Sequence, residues 1–106
     1  MVNQYEIYWV SLDPTIGTEV KKTRPCVVIT PDEMNHNLGT VMIAPLTSTT
    51  KLYPSRILCN VQGKKGTIML DQIRTVDKKR LIKKIAQLSA KEIKEVKEKI
   101  KEMLVD

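Results

Sequence analysis

The sequence contains no phenylalanine, and tyrosine and tryptophan together make up only 4% of its 106 residues. So few rings argue against an RNA-recognition sheet built as a platform of stacked aromatics. Histidine occurs once, at His36, and cysteine twice, at Cys26 and Cys59. No Cys-x-x-Cys or His-x-x-x-His pair is present, so a metal centre lacks its usual ligands and no cofactor is expected. The isolated cysteines lie in apolar runs and make no disulfide framework, which points to a reducing cytoplasm. No stretch of about 18 apolar residues occurs, so no membrane span is expected. The opening residues Met1 to Glu6 lack a basic start and an apolar run, so no secretory signal is expected either. Glycine-rich phosphate loops and dinucleotide motifs are absent, and nothing around His36 resembles a nucleophile elbow.

What is present suits one domain spanning 1–106. Apolar residues make up 42% of the chain and charged residues 28%, with a net charge of +6. The charge is uneven: residues 1–50 carry three basic and five acidic side chains, and 51–88 carry ten and two. Lys64, Lys65, Arg74, Lys78, Lys79, Arg80, Lys83 and Lys84 supply most of that excess. Such a segment is either a solvated lysine-rich surface or a site for a polyanion.

Local patterns predict a mostly β chain with a C-terminal helix. Residues 6–12 are rich in β-branched and aromatic side chains and read as a strand. Residues 13–25 form a loop long enough to suggest function. The apolar run 26–30 suits a strand buried on both faces. Residues 31–35 form a single helical turn with proline at its start. Strands follow at 40–46 and 56–61, then a turn at Gly63-Lys64-Lys65-Gly66 and a strand at 67–70. Residues 71–80 read as irregular, and 81–88 fits strand and helix equally. Ser89-Ala90-Lys91-Glu92 is a capping box with Leu88 and Ile93 at the staple positions. Behind it Ile93, Val96, Ile100, Met103 and Leu104 recur at helical spacing, and Glu95 and Lys99 stand four residues apart on the polar face. So many short strands predict a small barrel or sandwich.

Polar residues at strand ends and in loops are the candidate site: Glu19, Arg24, Thr47, Ser48, Asp71, Gln72 and Arg74. Pro25 restricts Arg24 to extended backbone, so the guanidinium leaves the start of a buried strand in a defined direction. A guanidinium binds phosphate bidentately and stabilises added negative charge. The alternative is an ion pair between Arg24 and Glu19 or Asp71.

Three blocks then become specific. Residues 7–19 (IYWVSLDPTIGTE) with 23–29 (TRPCVVI), then 44–48 (APLTS), then 71–81 (DQIRTVDKKRL), resemble the MazF/PemK toxin family and occur in that family's order. The resemblance implies a small SH3-like barrel with helices. It also implies a sequence-specific, metal-independent endoribonuclease acting on single-stranded RNA by 2′-hydroxyl transesterification. The implied functional unit is a homodimer in the bacterial cytoplasm. A cognate antitoxin would block its RNA groove, and the antitoxin complex would bind operator DNA. In one branch of the family an arginine and a threonine carry the reaction, and Arg24 and Thr47 match them. Another branch uses a histidine and an arginine where this chain has Thr18 and Met69, and only its aspartate persists, as Asp71. Glu19 and Asp71 become further catalytic or antitoxin-contacting candidates, and Asn35, Ser48, Gln72 and Arg74 become candidates for RNA binding. Two rival readings stand beside this one. The first is a non-catalytic toxin of the same fold that poisons a protein such as DNA gyrase; the second is an inactive RNA-binding relative.

Overall fold

The computed structural model describes residues 1–12, 22–49 and 53–105. The loop Glu19 and most of the long loop predicted over 13–25 lie outside them. Seven strands form one curled antiparallel sheet: β1 (Glu6–Ser11), β2 (Thr23–Val28), β3 (Thr40–Thr47), β4 (Arg56–Val61), β5 (Lys64–Met69), β6 (Arg74–Asp77) and β7 (Leu81–Gln87). Two helices accompany it, α1 (Asp32–Asn35) and α2 (Ala90–Leu104). The strand order is β4-β5-β3-β2-β1-β7, with β6 also on β3. The expected mostly β chain with a C-terminal helix is therefore present, as a half-barrel.

The longest strand, β3, organises the sheet. Along one side it pairs with β2; along the other, Thr40 to Ile43 face β6, and Leu46 and Thr47 face β5. Pro45 stands between those two stretches, where a residue without an N–H costs the ladder least. The central strands bury both faces. Val27, Ala44, Leu46 and Ile7 belong to one apolar cluster with Ile57, Ile68, Leu88 and Val96. Cys26, Val28, Val41, Ile43 and Val10 belong to a second with Leu12 and Val76. The run 26–28 is thus apolar throughout because it faces a core on each side.

Two local expectations need correction, and one reading left open between strand and helix is decided. The turn after β4 is Gln62-Gly63, with φ of 52° and 84°, and not Gly63 to Gly66. Two consecutive left-handed residues match the twist of a tight hairpin, so β5 starts at Lys64. Residues 71–80 are regular: a 3₁₀ turn (Leu70–Gln72), β6, and a second 3₁₀ turn (Lys78–Arg80). Only Val76 of β6 is buried, so its apolar pattern is too short to see; hydrogen bonds offered by β3 create the strand. The segment 81–88 is a strand on β1, interrupted by register shifts between Ile7 and Tyr8 and between Trp9 and Val10. Each shift inserts an extra residue, Ile85 and Ile82, and breaks the period of two that marks a strand in sequence.

Helix α2 closes the curled sheet. Ser89 Oγ accepts from Glu92 N at 3.2 Å, and Glu92 Oε1 accepts from Ser89 N at 2.8 Å, the reciprocal cap expected. Ile93, Val96 and Ile100 pack on the first core cluster, and Val96 is fully buried. Met103 and Leu104 continue the helical spacing but remain exposed. Lys99 reaches Glu102 at 2.9 Å, one turn away from the expected Glu95. At the other edge Glu6 accepts Lys84 Nζ at 2.7 Å, Asn3 N at 2.7 Å and Tyr8 Oη at 3.2 Å. Burial pushes the Glu6 carboxyl up, but Lys84, the Asn3 amide and the Tyr8 hydroxyl together hold it below its ordinary value.

Candidate active site

Arg24 and Thr47 come from adjacent strands. The β2–β3 register pairs Cys26 with Pro45, and Arg24 and Thr47 stand two residues further along their strands. Arg24 lies inside β2 and not in a loop before it, with Val10 as its partner on β1. Its Nη1 donates to Leu46 O at 3.5 Å, the carbonyl just before Thr47. The Arg24 and Arg74 charges both act on the Cys26 thiol, lowering it against the burial that pushes it up to about 12. That thiol therefore stays protonated.

Thr47 is fixed from several directions. Its Oγ1 accepts from Thr49 N at 3.4 Å, a short side-chain turn that uses a lone pair and not the hydroxyl hydrogen. Thr67, opposite Thr47 in the ladder, donates through Oγ1 to Thr49 O at 3.1 Å. Gly66 lets the strands approach: a Cβ there would stand 2.5 Å from Thr47 O. A glycine within a strand, marking close backbone approach, is the sequence signal for this contact.

Two cavities meet at Thr47. One, of about 430 Å³, opens at the end of the half-barrel. Its rim carries Arg24, Thr47, Ser48, Lys22, Lys64 and Lys65, all partly or well exposed. Its wall is apolar, formed by Trp9, Pro25, Leu46, Cys59, Val61 and Ile85. No carboxylate or imidazole lines it among the described residues. Burial pushes the Cys59 thiol up to about 12, with the Glu92 charge adding to the shift, so this wall residue is no nucleophile. The second cavity, of about 590 Å³, is lined by Thr47, Thr49, Tyr53, Ser55, Arg56 and Asp71. There Arg56 pairs with Asp71 at 3.4 Å and lies 4.8 Å from the Tyr53 ring centroid. Burial raises the Asp71 carboxyl, but Arg56, its own backbone N–H and the Ser55 hydroxyl lower it further, below its ordinary value.

Other sequence candidates fall elsewhere. Asp71 is the partner of Arg56, not of Arg24. Gln72 is half-buried in the adjoining 3₁₀ turn. Arg74 Nη1 donates to Leu12 O at 3.4 Å on the Cys26 side of the sheet. Asn35, expected among RNA contacts, is fully buried. Its Nδ2 donates to Thr30 O at 2.6 Å and its backbone carbonyl accepts from Lys78 Nζ. A polar side chain turned inward to satisfy a buried carbonyl serves the fold, and in this structure Asn35 has no exposed surface. His36 Nε2 lies 2.9 Å from Asn3 Oδ1, at the exposed end of α1. Trp9, Gly66, Tyr53 and Arg56 were not legible as site residues, since only tertiary neighbours distinguish them from ordinary strand and loop residues.

Residues 3–104 match the sequence family described as PemK-like, MazF-like toxin of type II toxin–antitoxin system. The chain is 32% identical to the endoribonuclease toxin MazF of Escherichia coli over 81 residues, covering 72% of this chain and 73% of that one. Its fold is similar to the crystal structure of MazF from Deinococcus radiodurans, with a TM-score of 0.86, 27% identity and coverage of 97% and 96% of the two chains. A MazE–MazF structure from the same organism aligns with a TM-score of 0.81, 26% identity and coverage of 97% and 95%. With most of its length inside the family's pattern and its barrel superposing on a family member's, this chain belongs to the PemK-like, MazF-like toxins of type II toxin–antitoxin systems.

Proposed function

We propose that this chain is a sequence-specific endoribonuclease toxin that cleaves single-stranded RNA without a metal and is neutralised by a cognate antitoxin. The observation that carries this reading is the shared rim. Arg24 and Thr47, from two sequence blocks 23 residues apart, border one cavity ringed by further cations. The E. coli relative is named an endoribonuclease toxin, and the D. radiodurans relative is found with MazE; both support the assignment.

The chemistry follows from the side chains on that rim. The ribose 2′-oxygen attacks the adjacent phosphorus and loses its proton. The P–O5′ bond breaks, and the 5′-oxygen takes up a proton and leaves as a hydroxyl. The products are a 2′,3′-cyclic phosphate and a 5′-hydroxyl end. Arg24 stabilises the charge gathering on the phosphorane oxygens. Thr47, whose hydroxyl does not ionise near neutral pH, positions the 2′-hydroxyl or a phosphate oxygen. Among the described residues the cavity is lined by no carboxylate or imidazole that could act as a general base. Positioning and charge stabilisation therefore supply the rate, with Glu19 the candidate proton acceptor from the loop. The metal-free route is supported by the donor inventory: one histidine, two isolated cysteines and, among the described residues, no cluster of three His, Cys, Asp or Glu side chains. Ser48, on the same rim, binds the RNA backbone or a base. Gln72 and Arg74 remain proposed RNA contacts through a homodimer, the unit in which two such surfaces join. The antitoxin would reach the same cations with an acidic tail, and its complex with the toxin would bind operator DNA.

Incubation of the protein with a long single-stranded RNA in EDTA, with the cleavage ends mapped, tests the reading. Cleavage to cyclic-phosphate and 5′-hydroxyl ends is expected. Arg24→Ala should lose about 10²–10³-fold in rate, the cost of removing one charge-stabilising donor. Arg24→Lys should restore only part of it, because a point charge does not replace the bidentate fork. Thr47→Ala should bind RNA with little change and cleave more slowly. No cleavage of any RNA would overturn the catalytic reading, and full activity in Arg24→Ala would move the site elsewhere.

A further inference from the structure

Trp9 is the only tryptophan in the chain, and it is 38% exposed on a strand where Ile7 and Val10 are fully buried. The register sets it opposite Pro25 on β2 and opposite Lys83 on β7. Together with Pro25, Val61 and Ile85 it lines the cavity whose rim carries Arg24 and Thr47. The cavity thus combines an apolar wall containing one open indole with a mouth of four cations, Lys22, Arg24, Lys64 and Lys65. That combination is complementary to a flat, weakly polar ring carried on an anionic backbone. Every nucleobase presents a π-face to an indole, and its phosphates would meet the cations at the mouth. A paired base is held within its stack and cannot enter, so the cavity selects unpaired RNA.

We propose that Trp9 is a stacking platform for one unpaired nucleobase beside the scissile phosphate. The proposal rests on the ribonuclease reading of the same cavity and names what seats the substrate there. The base enters the mouth of the half-barrel and stacks on the indole. Lys22, Lys64 and Lys65 hold the flanking phosphates while Arg24 and Thr47 meet the reacting one. Trp9 makes no bond to the reacting atoms; it is a binding residue that sets where the ribose stands.

Because Trp9 is the sole tryptophan, its fluorescence reports on its own site. The protein is titrated with a mixed-sequence 2′-O-methyl oligoribonucleotide, which cannot be cleaved, and in parallel with polyphosphate and poly-glutamate. Saturable quenching by the oligonucleotide, and none by the two base-free polyanions, is expected. Equal quenching by polyphosphate would mean that the cations alone act, and quenching by poly-glutamate alone would make the cavity a peptide site; either result overturns the proposal. In the cleavage assay Trp9→Ala should raise KM about 5- to 150-fold, the range set by the loss of one base stack. Trp9→Phe, which keeps a ring and the strand's packing, should recover most of that loss. An unchanged KM in Trp9→Ala, with wild-type protein active, overturns the platform and leaves the ribonuclease reading standing. Inactive wild-type protein that still shows base-dependent quenching would overturn the ribonuclease reading and leave the platform standing.

Discussion

Thr47 is held in place by the absence of a side chain. Gly66, the neighbour of its ladder partner Thr67 on β5, lies against its backbone, and a methyl group there would press into the Thr47 carbonyl. The obstacle is backbone, which cannot swing aside as a flexible side chain could. Gly66→Ala is therefore expected to force the two strands apart and destabilise the fold by about 1–3 kcal/mol, as other overpacked substitutions do. The same displacement moves Thr47 relative to Arg24, so cleavage should slow more than RNA binding weakens. Thermal denaturation measures the first effect and single-turnover cleavage with parallel binding measures the second. Normal stability together with normal cleavage would show that the strands have room to spare. Arg24 is positioned differently: Pro25 fixes its backbone and the Leu46 carbonyl takes Nη1.

At the scale of elements, Glu92 joins helix to sheet. One carboxylate oxygen caps α2 at Ser89 N, and the other accepts Asn60 N at 2.9 Å from the edge strand β4. An edge N–H is a ready template for pairing with another chain, and here a side chain occupies it. Ser89→Ala removes the cap alone and should cost about 1 kcal/mol. Glu92→Ala removes both attachments and should cost more than Ser89→Ala, by about 0.5–1.5 kcal/mol for the added hydrogen bond. Urea denaturation of the two variants compares them, and equal losses would mean that the Asn60 bond contributes nothing to stability. The β1–β7 pairing shows the opposite design. Its two bulges let Ile85 pack against the first core cluster while Ile82 stays 62% exposed.

For the whole molecule, the distribution of positive charge is less simple than the sequence suggests. The basic segment 51–88 looks like one binding surface, yet several of its members serve the fold. Arg74 donates to Leu12 O, Arg80 to Ser11 O and Lys78 to Asn35 O, while Lys84 pairs with Glu6. Among the described residues of that segment, only Lys64 and Lys65 of the basic side chains reach the cavity mouth, where Lys22 and Arg24 from the acidic first half join them. The ring of cations exists because β2 and β5 both flank β3. The homodimer proposed with the ribonuclease reading is tested at this scale. Sedimentation at micromolar concentration should return twice the mass of the 12.1 kDa chain. A monomer at that concentration would place the whole RNA site on one chain and remove Gln72 and Arg74 from it.

The sequence by itself determined the fold class, the two-faced burial of the run predicted over 26–30 as far as Val28, where β2 ends, the reciprocal cap of α2 and the family. Each is written in local pattern, side-chain chemistry or ordered motifs that survive without knowledge of neighbours. It also singled out Arg24 and Thr47, because a guanidinium and a hydroxyl at strand ends stood inside those motifs. The tertiary structure decided the rest. β6 exists because β3 has an open edge, and β7 is a strand despite a pattern that its bulges break. Asn35 turned inward because a buried carbonyl needed a donor, whereas Trp9 and Gly66 came to the site through strand pairing. These outcomes depend on contacts between residues far apart in the chain, where hydrogen-bond satisfaction and close packing override local preference.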